Sequence, residues 1–213
     1  MSIATNMTIG IYQRMPLGFG PFPGPRQSAE GSALAGWDQV KVKTATVVFK
    51  ASRAHLSTFL PHQCFSIETS AQEEDKDLAF ASISFTRLEN LPWLAGRGYN
   101  HCGLYLHDVL CQGEEQTVRG KYLSVLFENR ADPITSGREE LGSAKVFASL
   151  EDVEQDGIFM LRIGWDDAVF GEMRLEGLAS DLKSTPPDSF RPSEGLLHFK
   201  YIPKTGSPGE CDI

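Results

Sequence analysis

One lysine stands out as a side chain that could do covalent chemistry. Lys145 closes the segment Gly137-Arg138-Glu139-Glu140-Leu141-Gly142-Ser143-Ala144-Lys145 and is followed by Val146-Phe147-Ala148. A glycine upstream and apolar residues downstream put its amine near a helix end in apolar surroundings. Removing an ammonium from water disfavours its charged form, and that is what a lysine needs to act as a nucleophile near neutral pH. A neutral amine condenses with a ketone. Lysines in strands also commonly lie on a solvent face with the stem covering apolar surface, and the local residues alone leave that reading open.

The second candidate is His101, in Tyr99-Asn100-His101-Cys102-Gly103. Imidazole is matched to proton transfer near pH 7. His101 shares strand parity with His107, but two histidines without a third ligand do not make a metal site, and none is expected. Cys64, Cys102, Cys111 and Cys211 lack CxxC spacing and read as free thiols. No cofactor is implied.

The elements that must position these groups are mostly strands. Lys41 to Lys50 is rich in β-branched residues and alternates in its first part. Ser52 then offers an N-cap to a short helix that Pro61 closes. Further strands are expected at Cys64–Thr69, Leu78–Arg87, Cys102–Cys111 and Lys121–Glu128. A short helix over Ala131–Leu141 ends at Gly142, and strands resume at Lys145–Leu150, Gly157–Trp165, Phe170–Leu178 and Gly195–Ile202. Many strands and few short helices predict a mainly β (α+β) fold, a predominantly antiparallel sheet closed into a barrel-like form. Residues 1–30 read as an extended arm, because Pro16 to Pro25 is too rich in proline and glycine for helix or central strand yet carries Leu17, Phe19 and Phe22. Residues 31–213 read as one domain.

Composition narrows the partners. The 213 residues carry a formal net charge of -8, with lysines and arginines scattered rather than gathered, so nucleic acid is not expected. No run of twenty apolar residues suggests a membrane span, and Met1 to Gly20 does not read as a secretory signal, so a cytoplasmic location is expected.

Gly137-Arg138-Glu139, followed eight residues after the glycine by Lys145, resembles the signature of the acetoacetate decarboxylase family, in which that lysine forms a Schiff base. The family enzyme is itself a standard example of a lysine activated by a neighbouring cation. The resemblance runs upstream through Lys121-Tyr122-Leu123 to Phe127-Glu128-Asn129, similar to an aromatic strand and acidic turn. It reaches the arm at Phe22-Pro23-Gly24-Pro25, the unit from Val47-Val48-Phe49 to Leu60-Pro61, and the late segment from Leu197-His198-Phe199 to Gly206-Ser207-Pro208.

Departures are as informative. Val146 stands where the family has a second lysine, Ser143 and Ala144 replace a bulky residue and a proline, and His101 falls where the family has a catalytic glutamate. A pocket arginine and another glutamate align with Val42 or its lysine neighbours and with Thr86 or Arg87. Like-charge repulsion at Lys145 is therefore lost, leaving burial, to which Val146 and Phe147 should add. The family fold continues past the segment resembling 206–211, so the domain is expected to be short at its C-terminus.

The resemblance implies a lyase in which Lys145 condenses with a small oxo-acid, β-keto acid or polyketide-like substrate. Decarboxylation, or aldol, dehydration or cyclisation chemistry, would follow through an enamine. His101 would move protons, Arg138 and Glu139 would orient the lysine through an ion pair or helix-end contact, and Tyr99 and Phe127 would support the site. A homo-oligomer is implied as well. The alternative is a family member without catalysis, serving as a binding or assembly protein.

Overall fold

The computed structural model describes residues 27–28, 30–69, 73–177 and 195–212. The arm expected over Pro16 to Pro25 lies outside them. By contacts the chain divides into two compact units, Met1–Lys43 with Arg87–Tyr99, and Thr44–Thr86 with Asn100–Ile213.

The strands are β1 (Lys41–Ser52), β2 (Phe65–Ile67), β3 (Leu78–Leu91), β4 (Arg97–Gln112), β5 (Thr117–Glu128), β6 (Lys145–Phe147), β7 (Ser149–Gln155), β8 (Ile158–Trp165), β9 (Ala168–Leu175) and β10 (Leu196–Leu197). Two short helices, α1 (Arg53–Ser57) and α2 (Ala131–Ser136), interrupt them. Ser52 caps α1 as expected, its hydroxyl accepting from the His55 amide at 3.3 Å. No helix among the described residues is long and apolar enough to cross a membrane.

Seven strands form one sheet in the order β1-β3-β4-β5-β10, with β2 pairing β4 and β6 pairing β5, while β7-β8-β9 form a second, antiparallel sheet. The fold is mainly β with few short helices, as the residue pattern predicts. The larger sheet follows an open path among the described strands, so it curls without closing into the expected barrel. The strand expected over Gly195–Ile202 is reduced to the two residues of β10, because after Leu197 the chain leaves the ladder. β5 is antiparallel to β4 but parallel to both β6 and β10.

In the first unit, tight turns join the strand ends. Gly36 caps the 3-10 turn Trp37–Gln39 in the left-handed region at φ 86°. Asn90 donates to the carbonyl of Gln39 at 3.2 Å, and Trp93 meets Tyr99 edge-to-face at 6.5 Å.

In the second unit, strand alternation sorts the sheet into an apolar and a polar face. Ala45, Phe85, Cys102 and Phe127 share a core with Leu150, Phe159 and Leu161 of the smaller sheet. A second cluster gathers Ala81, Leu106 and Tyr122 with Phe65 and Leu56. The intervening residues face the other way and pair by hydroxyl: Thr44 with Thr86 at 3.0 Å, Thr46 with Ser84 at 2.7 Å, and Ser82 with the His107 ring at 2.8 Å. A bulge between Leu104 and Tyr105 adjusts the register of β5 partway along. Beyond it, Lys121 rather than Tyr122 shares the polar face.

Candidate active site

Lys145 begins β6 and pairs in parallel register with Leu126 of β5. Glu128 lies two residues further along β5, on the same face as Leu126, and His101 of β4 is its antiparallel partner. The period of the strands thus brings Lys145, Glu128 and His101 to one face, although they are far apart in sequence.

The lysine is 8% exposed and Glu128 is fully buried. The ammonium lies 2.9 Å from Glu128 Oε1 and donates a 2.9 Å hydrogen bond to the carbonyl of Pro133 in α2. The Glu128 contact is an ion pair by distance. Among the described residues neither carboxylate oxygen gains a proper hydrogen bond. A buried carboxylate held this sparingly is costly unless it stays paired or takes a proton. Burial pushes the Glu128 carboxyl above its ordinary value, against the smaller downward pull of Lys145.

Two histidines feel the lysine charge. Burial first, then the Lys145 ammonium, depresses His101 to about 4. The same two causes, in the same order, lower His198. At neutral pH both rings are uncharged. This revises the expectation that His101 titrates near pH 7, since burial removes the water that would solvate its cation.

The backbone explains the motif. Between α2 and Gly142, residues Gly137–Leu141 form one π-helical turn, ended by Gly142 in the left-handed region at φ 71°. A Cβ at Gly137 would fall inside the lysine stem, 2.5 Å from both Cδ and Nζ, so glycine there leaves the channel in which Lys145 lies. Arg138 donates from its guanidinium to the Lys145 carbonyl at 3.1 Å, tying the turn to β6.

Other expectations fare differently. Glu139 is exposed and, among the described residues, forms no ion pair with Arg138. Val146 and Phe147 are 47% and 52% exposed, so they do not add to the burial of the lysine; among the described strands β6 pairs with β5 alone and leaves them open. The polar groups that meet its amine are the Glu128 carboxylate and the Pro133 carbonyl. Phe127 points to the opposite face, where its ring meets Phe170 at 5.2 Å, because alternation gives the lysine side to Leu126 and Glu128. Tyr99 belongs to the first unit. Sequence reasoning passed over Glu128 and His198. Both lie inside the segments that resemble the family, and the period-2 relation of Glu128 to Leu126 is the signal once β6 is paired.

A family model described as acetoacetate decarboxylase (ADC) matches residues 15–212. Among solved structures, the enduracididine biosynthesis enzyme MppR, complexed with the condensation product of pyruvate and imidazole 4-carboxaldehyde, is 15% identical over 95% of this chain and 75% of that chain, with a TM-score of 0.57. An acetoacetate decarboxylase-like enzyme from Sphingomonas wittichii RW1 is 15% identical over 80% of this chain and 67% of that one, with a TM-score of 0.53. Acetoacetate decarboxylase from Legionella pneumophila subsp. pneumophila str. Philadelphia 1 is 14% identical over 66% of this chain, with a TM-score of 0.49. The chain spans about half, 49%, of that relative's length. Curated proteins yield no match.

Proposed function

The chain belongs to the acetoacetate decarboxylase family, and on that footing we propose that it is a Schiff-base enzyme whose Lys145 condenses with the carbonyl of a small oxo-acid. The observation that carries this reading is the buried Lys145–Glu128 pair, with Nζ 2.9 Å from Oε1.

An ammonium cannot attack a carbonyl, so the proton must first leave. Glu128 is the acceptor in contact with it, and burial makes that carboxylate the more willing to be protonated. The free amine adds to the carbonyl carbon, and the carbinolamine loses water to give an iminium ion. That cation draws the electron pair of the bond next to it, either C–C with loss of carbon dioxide from a β-keto acid or C–H with loss of a proton. The product in both cases is an enamine. Glu128 returns its first proton to the departing carbinolamine hydroxyl and is a carboxylate again. In the C–H branch it takes the carbon's proton and gives it back to the enamine; in decarboxylation solvent supplies the proton that replaces carbon dioxide, and water then hydrolyses the iminium to free Lys145. His101 and His198 enter as neutral rings and therefore as bases or hydrogen-bond partners.

The test is proton exchange in deuterium oxide. Pyruvate, acetoacetate and longer oxo-acids incubated with the protein should lose the NMR signal of the protons beside the carbonyl, and Lys145→Met should abolish the effect. The engagement of the ammonium by two acceptors favours one other reading, a family member that binds without turnover. Exchange no faster than buffer with every oxo-acid would establish that alternative.

A further inference from the structure

Resting on the Schiff-base reading, we propose that Lys121 forms a second, anion-binding subsite on the same sheet face. The substrate class is then an oxo-acid bearing a second carboxylate remote from its carbonyl.

A cavity of about 390 Å³ opens on the polar face, lined by Thr46, Ser82, Ser84, Tyr105 and Lys121 and by the Gly195–Leu196 step. Three hydroxyl groups, a phenol and an ammonium make a lining that suits a carboxylate. Thr46 and Ser84 hold one another, and Ser82 is held by His107, so these hydroxyls are oriented and each keeps capacity for a further partner.

Three other bases on this sheet have carboxylate partners. Arg119 pairs with Glu68 and Asp108, Lys50 with Asp75, and Lys145 with Glu128. Lys121 is half-buried, yet among the described residues it has no carboxylate partner. A cation drawn partly out of water into a polar cavity is stabilised by an anion, and among the described residues no carboxylate pairs with it. Burial depresses His107 to about 4, the Lys121 charge adding to that and Asp108 opposing it.

The register connects this cavity to Lys145. Lys145 stands level with Leu126, which pairs with Gly103, whereas the pairing of Leu106 with Tyr122 places Lys121 at the level of His107. Gly103 to His107 is four residues, or about 13 Å of strand. Tyr105 lies between, its ring packed over Gly103 so that a Cβ there would be 2.8 Å from it, and its side chain also lines the cavity.

Calorimetry with glutarate and adipate, which have no carbonyl, reads the subsite independently of Schiff-base chemistry. Wild-type protein should bind adipate at least about tenfold more tightly than butyrate, the scale of one charge-assisted contact. Lys121→Met and Lys121→Gln should lose that preference, and Lys121→Arg should restore it. Equal binding of diacid and monoacid by the wild type, or undiminished diacid binding by both neutral variants, would overturn the proposal. Labelling of Lys145 by pyruvate is scored separately. If it fails while diacid binding still depends on Lys121, the enzyme reading falls and the subsite stands; if it succeeds without that dependence, only the subsite falls.

Discussion

The stem of Lys145 occupies the space that a side chain at Gly137 would fill, with Cδ and Nζ each 2.5 Å from where that Cβ would stand. The glycine eight residues upstream is thus part of the lysine's geometry, and the spacing of the motif follows from one π-helical turn and the start of an edge strand.

Gly137→Ala should therefore move the amine rather than simply loosen the fold. Overpacking of this kind costs about 1–3 kcal/mol, and displacement of a reacting group by about 1 Å lowers rates roughly a hundredfold. Thermal melting together with the rate of proton exchange checks both. A variant that melts lower yet exchanges at the wild-type rate would separate the glycine from the chemistry.

Glu128→Gln keeps the volume and removes the carboxylate. Breaking a buried pair should cost about 3–5 kcal/mol in denaturant unfolding. In the wild type, exchange should rise with pH as Glu128 loses its proton, at a pH above the ordinary carboxylate range because burial raises it. The glutamine variant should lack that limb. Persistence of the limb would assign it to another group.

Stability should fall in mild acid. Burial is the chief cause that depresses both His101 and His107 from the ordinary 6.5 to about 4 in the folded protein. Because the folded pKa is the lower one, the unfolded chain binds protons more tightly between these values. The stabilisation is complete above about pH 6.5 and is lost as pH falls toward 4, by roughly 3 kcal/mol for each ring. Glu128 acts in the opposite sense, since its folded pKa is raised and protonation favours the fold. Urea midpoints at pH 7 and pH 5 read the balance, with a lower midpoint at pH 5 expected and a steeper fall expected in Glu128→Gln. Equal midpoints in that variant would contradict the histidine account.

Cys64 and Cys111 lie with their sulfurs 3.9 Å apart beside the Phe65–Cys111 register pair. Oxidised glutathione should join them, two thiols giving one disulfide as glutathione is reduced, while Cys102 stays buried and unmodified. Peptide mapping checks the pairing. Glutathione adducts on both cysteines in place of the linked peptide would show that the strands hold them apart.

Much of this arrangement could be read from residues alone. The strand alternation, the cap at Ser52, the stop at Gly142 and the position of Lys145 are local, and local pattern carries them. What lay beyond reach is set by register. Phe127 and Glu128 are neighbours in sequence and belong to opposite faces, and only the parallel pairing of Leu126 with Lys145 decides which of them meets the amine. His198 reaches the lysine's field from a segment more than fifty residues later that forms almost no regular structure, so no periodicity announces it. Barrel closure was over-read because strand count does not specify which edges meet.

The central claim is that the amine of Lys145 forms a covalent bond to an oxo-acid carbonyl. Incubation with pyruvate, acetoacetate and longer oxo-acids, reduction with borohydride and mass mapping of peptides tests it directly. A reduced adduct on the Lys145 peptide, absent from Lys145→Met, is the predicted result. No adduct with any oxo-acid, while a known Schiff-base enzyme is labelled in parallel, would contradict it.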